Sequence, residues 1–439
     1  MERHLAPHQH MALRLYQAGM HLGLPAGLLL GLPWFLLKAK RRRTIFRRLG
    51  FQTIDIPPSK GRPLWVHALS LGETLSCVNL VRVIRERLTD RPLVFSTSTL
   101  AARQIAEQRL ADQADAIFYF PFDLVPSIRR TLRSVRPAMV VVIETDIWPG
   151  LMHSLRRAGL PAWLVNARLS PQTFKACRRW RALFVPALNS FEQVFPQSDR
   201  EADRYRSVGV EGNRLGPVGN LKFDTAAPTL DPEERRRLIA ECGFEEQHRI
   251  WLAGSTHPGE ENIVCQGFND LRRKHSDLRL ILVPRHPHRA REVRDLCSAA
   301  GLQSRLLTEP SSTPDIAVVI VDVLGRLATL YHLATAALVG GSLVLKGGQN
   351  PIEPAAAGKP VLFGGDMTDF PDIAREMVGR EAAFQVEGGE QLRERMDRLL
   401  SEPELARRMG ARGCALVAEH GGTTRRVADA ILERLDGLA

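Results

Sequence analysis

The sequence predicts an α/β protein made of two Rossmann-like domains facing a cleft, preceded by an amino-terminal membrane anchor. Three observations predict it. From about residue 62 to 219 short apolar runs alternate with amphipathic stretches, which is the signature of parallel strands joined by helices. The alternation stops near Asp224–Pro232, where prolines, Asp and Thr interrupt it, and then restarts. Ahead of both, Leu15 to Leu37 carries no Lys, Arg, Asp or Glu.

That first segment has the length of a membrane helix. Pro25 and Pro33 weaken a straight helix, so a kinked or partly inserted segment is the alternative. Gly19, Gly23, Gly27 and Gly31 recur every fourth residue, either as a helix-packing stripe or as loose interfacial packing. Lys38, Lys40, Arg41, Arg42, Arg43, Arg47 and Arg48 follow at once, which puts this flank on the cytoplasmic side of a spanning segment. For a segment lying in the interface, the same cluster binds anionic head groups. The expected division is an anchor and basic flank at 1–48, a first domain at 49–224, a linker at 225–245 and a second domain at 246–439.

In the first domain, Leu64–Ala68, Leu93–Ser96, Ala116–Phe120, Met139–Ile143, Trp163–Val165 and Gln193–Pro196 read as strands, with helical patterns such as Ser76–Leu88 and Ala101–Leu110 between them. In the second, Ile250–Ala253, Leu280–Val283, Ala317–Val321, Ala336–Val339 and Pro360–Phe363 read as strands, and Leu392–Leu438 as helical. Ligands of such sheets sit at the carboxyl ends of the strands, so the loops there are the candidate sites.

Composition narrows the partners. The chain of 439 residues has a net charge of +12, which favours an anionic membrane surface or a phosphorylated substrate. Aromatic residues make up only 6%, and none interleave with basic runs, so nucleic acid is not expected. The six cysteines are scattered, suggesting neither a disulfide framework nor a zinc site, and no metal or other cofactor is expected. The fingerprints G-x-G-x-x-G and the Walker loop are both absent, against dehydrogenase and P-loop chemistry.

The loops at strand ends carry the chemistry. In His67–Thr74, Glu73 follows a glycine and opens a helix; it serves either as a general base on a sugar hydroxyl or as a favourable charge in a first helical turn. In Ile143–Pro149, Glu144 and Asp146 either contact an acceptor sugar or order the loop, Asp146 as a helix cap. Nearby, Arg168 either meets an acceptor phosphate or pairs with one of those carboxylates. In the second domain, Gly254, Ser255 and Thr256 form a small-residue turn suited to a phosphate, and Arg285 can grip one bidentately. The loop from Gly340 to Pro354, with Gly347, Gly348, Asn350 and Glu353, offers backbone N–H groups for an anion and a carboxylate for a ribose diol. Turn geometry alone is its alternative.

Taken in order, the blocks His67–Glu73, Glu144–Pro149, Asn166–Ser170, Gly219–Asp224, Gly254–Glu260, Pro284–Pro287 and Gly347–Pro354 resemble the Kdo (3-deoxy-D-manno-octulosonic acid) transferases of lipid A assembly. The resemblance runs over nearly the whole chain. It implies a glycosyltransferase of the B-type fold at the cytoplasmic face of the inner membrane, inverting and metal-independent, with CMP-Kdo as donor and lipid IVA as acceptor. It matches Glu73 to the catalytic base and Arg285, Gly348, Asn350 and Glu353 to the donor loops. Ser70, Glu144, Asp146 and Arg168 are the expected acceptor contacts. Two departures stand out: Gln349 replaces the family's usual His, and Ser96–Leu100 lacks a glycine common there. A related envelope transferase using another nucleotide sugar or acceptor, and a non-catalytic nucleotide- or lipid-binding protein, are the alternatives.

Overall fold

The structure, a computed structural model, describes residues 6–30, 39–59, 61–224, 230–310 and 316–438. It divides into two units, residues 1–224 with 422–439, and residues 225–421.

The first unit is built on a six-stranded parallel sheet of β1 (Leu64–Ala68), β2 (Leu93–Thr97), β3 (Ala116–Tyr119), β4 (Met139–Ile143), β5 (Ala162–Ala167) and β6 (Gln193–Pro196). Their order is β3-β2-β1-β4-β5-β6. β1 and β4 lie side by side, Leu64 level with Met139. Every residue of β1, β2 and β4 is buried, which is why strands covered on both faces read as unbroken apolar runs rather than alternating ones. Strand order reverses between β1 and β4, so the chain leaving each diverges and a crevice opens at their carboxyl ends.

The second unit carries seven parallel strands: β7 (Arg249–Thr256), β8 (Leu278–Pro284), β9 (Ser304–Leu306), β10 (Val318–Ile320), β11 (Ala336–Val339), β12 (Val361–Phe363) and β13 (Ala383–Gln385). Their order is β13-β12-β11-β7-β8-β10-β9, and the reversal falls between β7 and β11. β9 and β13 were not expected from sequence. Both are three-residue edge strands containing polar residues, too short to show a pattern.

Two assignments need correction. Residues 225–245 are not simply a linker: Pro232–Glu241 is a helix with a complete capping box from Asp231 and Glu234, and Leu238, Ile239, Cys242 and Phe244 are core residues of the second unit. The last helix, Thr423–Asp436, belongs to the first unit, where Val427, Ala428, Ile431, Leu432 and Leu435 join the core beneath β1 and β2. Asp224 fixes its start by accepting the Gly422 and Thr424 N–H groups.

The amino-terminal helix Pro7–Leu30 packs on the first unit through buried Leu13 and a Tyr16 hydroxyl donating to Asp123 at 2.7 Å. No described helix is long and apolar enough to cross a membrane. The expected anchor runs into residues 31–37, outside the described residues. Gly19 and Gly23, two members of the glycine stripe, face open space.

Candidate functional site

In the first unit the site grows from the reversal between β1 and β4. The chain leaving β1 caps the helix Leu71–Arg87 with a reciprocal box: the Glu73 N–H donates to Ser70 Oγ at 3.3 Å, while Glu73 Oε2 accepts the N–H groups of Leu69 and Ser70 at 2.6 and 3.3 Å. The two readings of Glu73 therefore coexist. One oxygen is committed to the cap and holds the side chain rigid; the other, Oε1, accepts among the described residues only one long hydrogen bond, from Thr145 Oγ1 at 3.5 Å. Burial, reinforced by the charges of Glu144 and Asp146, pushes the Glu73 carboxyl up to about 8 against the pull of its backbone donors.

The loop after β4 supplies those two charges. Glu144 has a left-handed backbone (φ 61°), as does Asn166 at the end of β5 (φ 58°), conformations that residues other than glycine rarely adopt. Glu144 Oε1 accepts from Ser76 Oγ and Asn166 Nδ2 at 3.3 Å each, and Lys222 Nζ lies 3.5 Å away. The Arg168 N–H donates to the Glu144 carbonyl at 3.4 Å, which sets Arg168 beside the same strand end, half-buried.

Asp146 does not cap the next helix. That role falls to Asp123, whose carboxylate takes the N–H groups of Gly150 and Leu151 at 2.8 and 2.7 Å. Asp146 instead accepts from His67 Nε2 at 2.6 Å. His67 is fully buried, stacked on Phe120 with ring centroids 3.7 Å apart, and its Nδ1 lies 2.9 Å from Ser96 Oγ. Ser96 Oγ in turn accepts the Trp65 indole N–H at 2.7 Å. A chain of hydrogen bonds thus runs under the sheet's carboxyl end and orients Asp146. His67 was visible in the motif, but nothing in one sequence tied it to a residue 79 positions away.

In the second unit the glycine-rich loop is occupied from within. Glu260, fully buried, accepts the N–H groups of Gly341 and His257 through Oε2 (2.7 and 2.9 Å) and those of Ser342 and Leu343 through Oε1 (3.0 Å each). The Gly347 N–H goes to Asp366, and those of Gly348 and Gln349 to the carbonyls of Gly341 and Gly340. These donors, expected to cradle an anion, are spent on holding the loop shut. The sequence signal for this was a carboxylate opening a helix next to a turn rich in N–H groups, which reads equally as a charge on a helix dipole.

Gly254, Ser255 and Thr256 are likewise not a turn after the strand but its last three residues. Ser255 (φ 55°) marks a register shift. Thr256 Oγ1 turns inward to Glu261, which also takes Arg289 at 2.8 Å. A side chain at Gly254 would collide with the Tyr331 hydroxyl. Gly348 takes φ 73° against the Met367 sulfur, so only glycine fits there.

What remains available is a group of side chains. Asn350 Oδ1 accepts the Ile352 N–H and its Nδ2 donates to Glu353 Oε1 at 3.2 Å. Burial raises the Glu353 carboxyl above the usual range, opposed by Asn350 and by the nearby Arg285 charge. The Arg285 N–H is tied to the Thr256 carbonyl, but its half-buried guanidinium forms no hydrogen bond or ion pair with a described residue. His257 sits beside it, held below its ordinary range by burial, His286 and Arg285, and Gln349 Nε2 lies 3.4 Å from its ring. Among the described residues no group of three or more His, Cys, Asp or Glu is placed to hold a metal ion.

Known proteins resemble this one in sequence and in fold. The model of a family described as 3-deoxy-D-manno-octulosonic-acid transferase (kdotransferase) matches residues 43–225. A 3-deoxy-D-manno-octulosonic acid transferase of Haemophilus influenzae is 31% identical over 400 residues, 90% of this chain and 92% of that protein. One of Bordetella pertussis is 31% identical over 397 residues, 88% and 90% of the two chains. Among solved structures, the UDP-GlcNAc 2-epimerase of Neisseria meningitidis matches with a TM-score of 0.59 at 15% identity, over 85% of this chain and 100% of that one, a likeness of fold.

Proposed function

Because the chain belongs to the 3-deoxy-D-manno-octulosonic acid transferase family, and is therefore a glycosyltransferase of Kdo transfer with two parallel-sheet α/β units of the GT-B kind, we propose that it moves Kdo from CMP-Kdo to lipid IVA at the cytoplasmic face of the inner membrane. The observation that carries the chemistry is Glu73: a rigidly capped carboxyl with one uncommitted oxygen, raised by burial and two like charges to about 8. A carboxylate with so high a proton affinity is a far stronger base than an ordinary one and still titrates near neutrality. Glu73 Oε1 takes the proton of an acceptor hydroxyl, the oxygen attacks the anomeric carbon of Kdo, and the bond to CMP breaks with its electron pair leaving on the phosphate. Attack from the face opposite the leaving group inverts that carbon.

Arg285, with no carboxylate bound to it, receives the phosphate of CMP, and Glu353 with Asn350 receives the ribose diol. Ser70, Glu144, Asp146 and Arg168 stand at the acceptor end. Gly254, Thr256 and Gly348 act in this scheme by shaping the loops, because their groups are packed or internally bonded. Leaving-group charge is met by side chains, so transfer proceeds without a metal.

The test is incubation with CMP-Kdo and tetra-acylated lipid IVA, followed by mass measurement of the product. Transfer is expected to persist in EDTA and to vanish in Glu73→Gln, with CMP binding by calorimetry unchanged. Wild-type turnover in that variant removes Glu73 from the mechanism; product from a UDP-sugar but not from CMP-Kdo overturns the donor.

A further inference from the structure

On the first unit, at the opposite end of the sheet from Glu73, lies an open groove of about 790 Å³. Its place follows from the residues that line it: Arg62 precedes β1, Arg136 and Pro137 precede β4, and Leu160 precedes β5, all at the amino ends of the strands. Val125, Leu132 and Leu160 give it an apolar floor. Its titratable lining is Arg62, Arg129, Arg133, Arg136, Arg157 and His153, with no acidic residue.

Of these, Arg62 is spent on the carbonyls of Arg136 and Pro137. Arg129, Arg133, Arg136 and Arg157 are exposed and make no side-chain hydrogen bond or ion pair with any described residue. Some exposed arginines elsewhere pair with carboxylates, as Arg206 with Asp203 and Arg407 with Glu404, and others such as Arg109 and Arg408 stand singly, so what sets these four apart is that they gather around one concavity. An arginine in a last helical turn complements the helix dipole, which accounts for Arg133 and Arg157 one at a time. It does not account for four unpaired guanidinium groups around one concavity, where they repel one another. Burial first, and then the charges of Arg157, His10 and Arg156, hold the His153 imidazole below its ordinary range.

The helix that borders the groove carries a second sign. Pro7–Leu30 reaches it through Gln17 and turns Gln9, Leu13 and Tyr16 to the protein. Its other face exposes Met11 (57%), Leu15 (66%) and Leu22 (74%), which with exposed Ala18 form one stripe at helical spacing. A helix already buried on one face is expected to be polar on the other; here the outward side carries this apolar stripe, flanked by exposed His8, Arg14 and His21. An apolar stripe and an unpaired cationic groove on the same unit match the two layers of a lipid surface, acyl chains and phosphate head groups.

We propose that the groove between helices Val125–Val135 and Pro149–Arg157 is a binding site for the phosphate head groups of anionic phospholipids, seating the first unit on the bilayer with the exposed stripe of Pro7–Leu30. It rests on the membrane-surface part of the reading above and is independent of donor and acceptor. The site lies at the far end of the sheet from Glu73, so it is not the acceptor site.

The test is flotation of the full-length protein with vesicles of phosphatidylcholine alone and with added phosphatidylglycerol. Arg→Gln at 129, 133, 136 and 157 together is expected to lower binding to the anionic vesicles about 100-fold, at roughly a few-fold per arginine. A control with the same charge loss at exposed Arg109, Arg393, Arg408 and Arg425 is expected to lower it less than about 3-fold. Unchanged circular dichroism in both variants separates binding from folding. Equal losses in the two variants overturn the groove. Inorganic phosphate bound by the free protein and lost in the groove variant, with vesicle binding intact, overturns a lipid source. Failure of the wild type to bind anionic vesicles overturns the membrane reading as well, while leaving Kdo transfer untouched.

Discussion

At the scale of single residues, charge placement decides what each carboxylate does. Glu73 and Glu260 both open helices, and sequence treats them alike. Glu73 shares its surroundings with two like charges and keeps one oxygen uncommitted; Glu260 is surrounded by four N–H donors. A base raised to about 8 is mostly protonated at pH 7, so kcat/KM is expected to rise close to tenfold per pH unit below about 8 and to level above it. Removing one negative neighbour favours ionisation, so Asp146→Asn, which still accepts from His67, is expected to move that rise to lower pH. A rise unmoved by that change would separate Asp146 from the base. Glu260→Gln places an amide among donors and removes the charge they share. It is expected to cost the second unit about 3 kcal/mol in denaturant unfolding and to loosen the Gly340–Leu343 turn.

At the scale of elements, the central strands were legible because burial on both faces writes itself as continuous Val, Ile and Leu. β1, β4, β6 and β11 have the boundaries expected from sequence. Edge strands β9 and β13 were not legible, being too short for a period and half-polar. The pairing of β1 with β4 was not legible either, since register is settled across the sheet, and this pairing is what brings Glu73 to Glu144. The helix Thr423–Asp436 shows the same limit: the sequence reads as helical there, and nothing local says which sheet it packs against. Ile431 is fully buried among first-unit residues, so Ile431→Ala is expected to cost about 3 kcal/mol in the transition of the first unit and nothing in that of the second. Tryptophan fluorescence with replacements in one unit at a time distinguishes the two.

At the scale of the molecule, each of the two units has its own hydrophobic clusters on the two faces of its sheet, its own reversal of strand order and its own cluster of candidate residues. A fragment spanning residues 225–421 is expected to unfold cooperatively and to retain CMP binding by calorimetry. A fragment ending at Asp224 is expected to stay unfolded, because the core beneath β1 and β2 lacks Val427, Ile431 and Leu435. The family was legible from motif order alone. The internal occupation of the glycine loop was not, because a backbone N–H shows its partner only once the chain is folded. Closing the first unit with the last helix also sets a timetable. Roughly 200 residues separate Asp224 from that helix, about 10 to 40 s of synthesis. Through that interval the nascent chain carries an unfinished hydrophobic face, and the last helix is still inside the ribosome when the second unit has emerged. The unit that begins first is completed last, after the whole of the second unit has been made, and whatever shields its open face until then becomes part of how this protein is made.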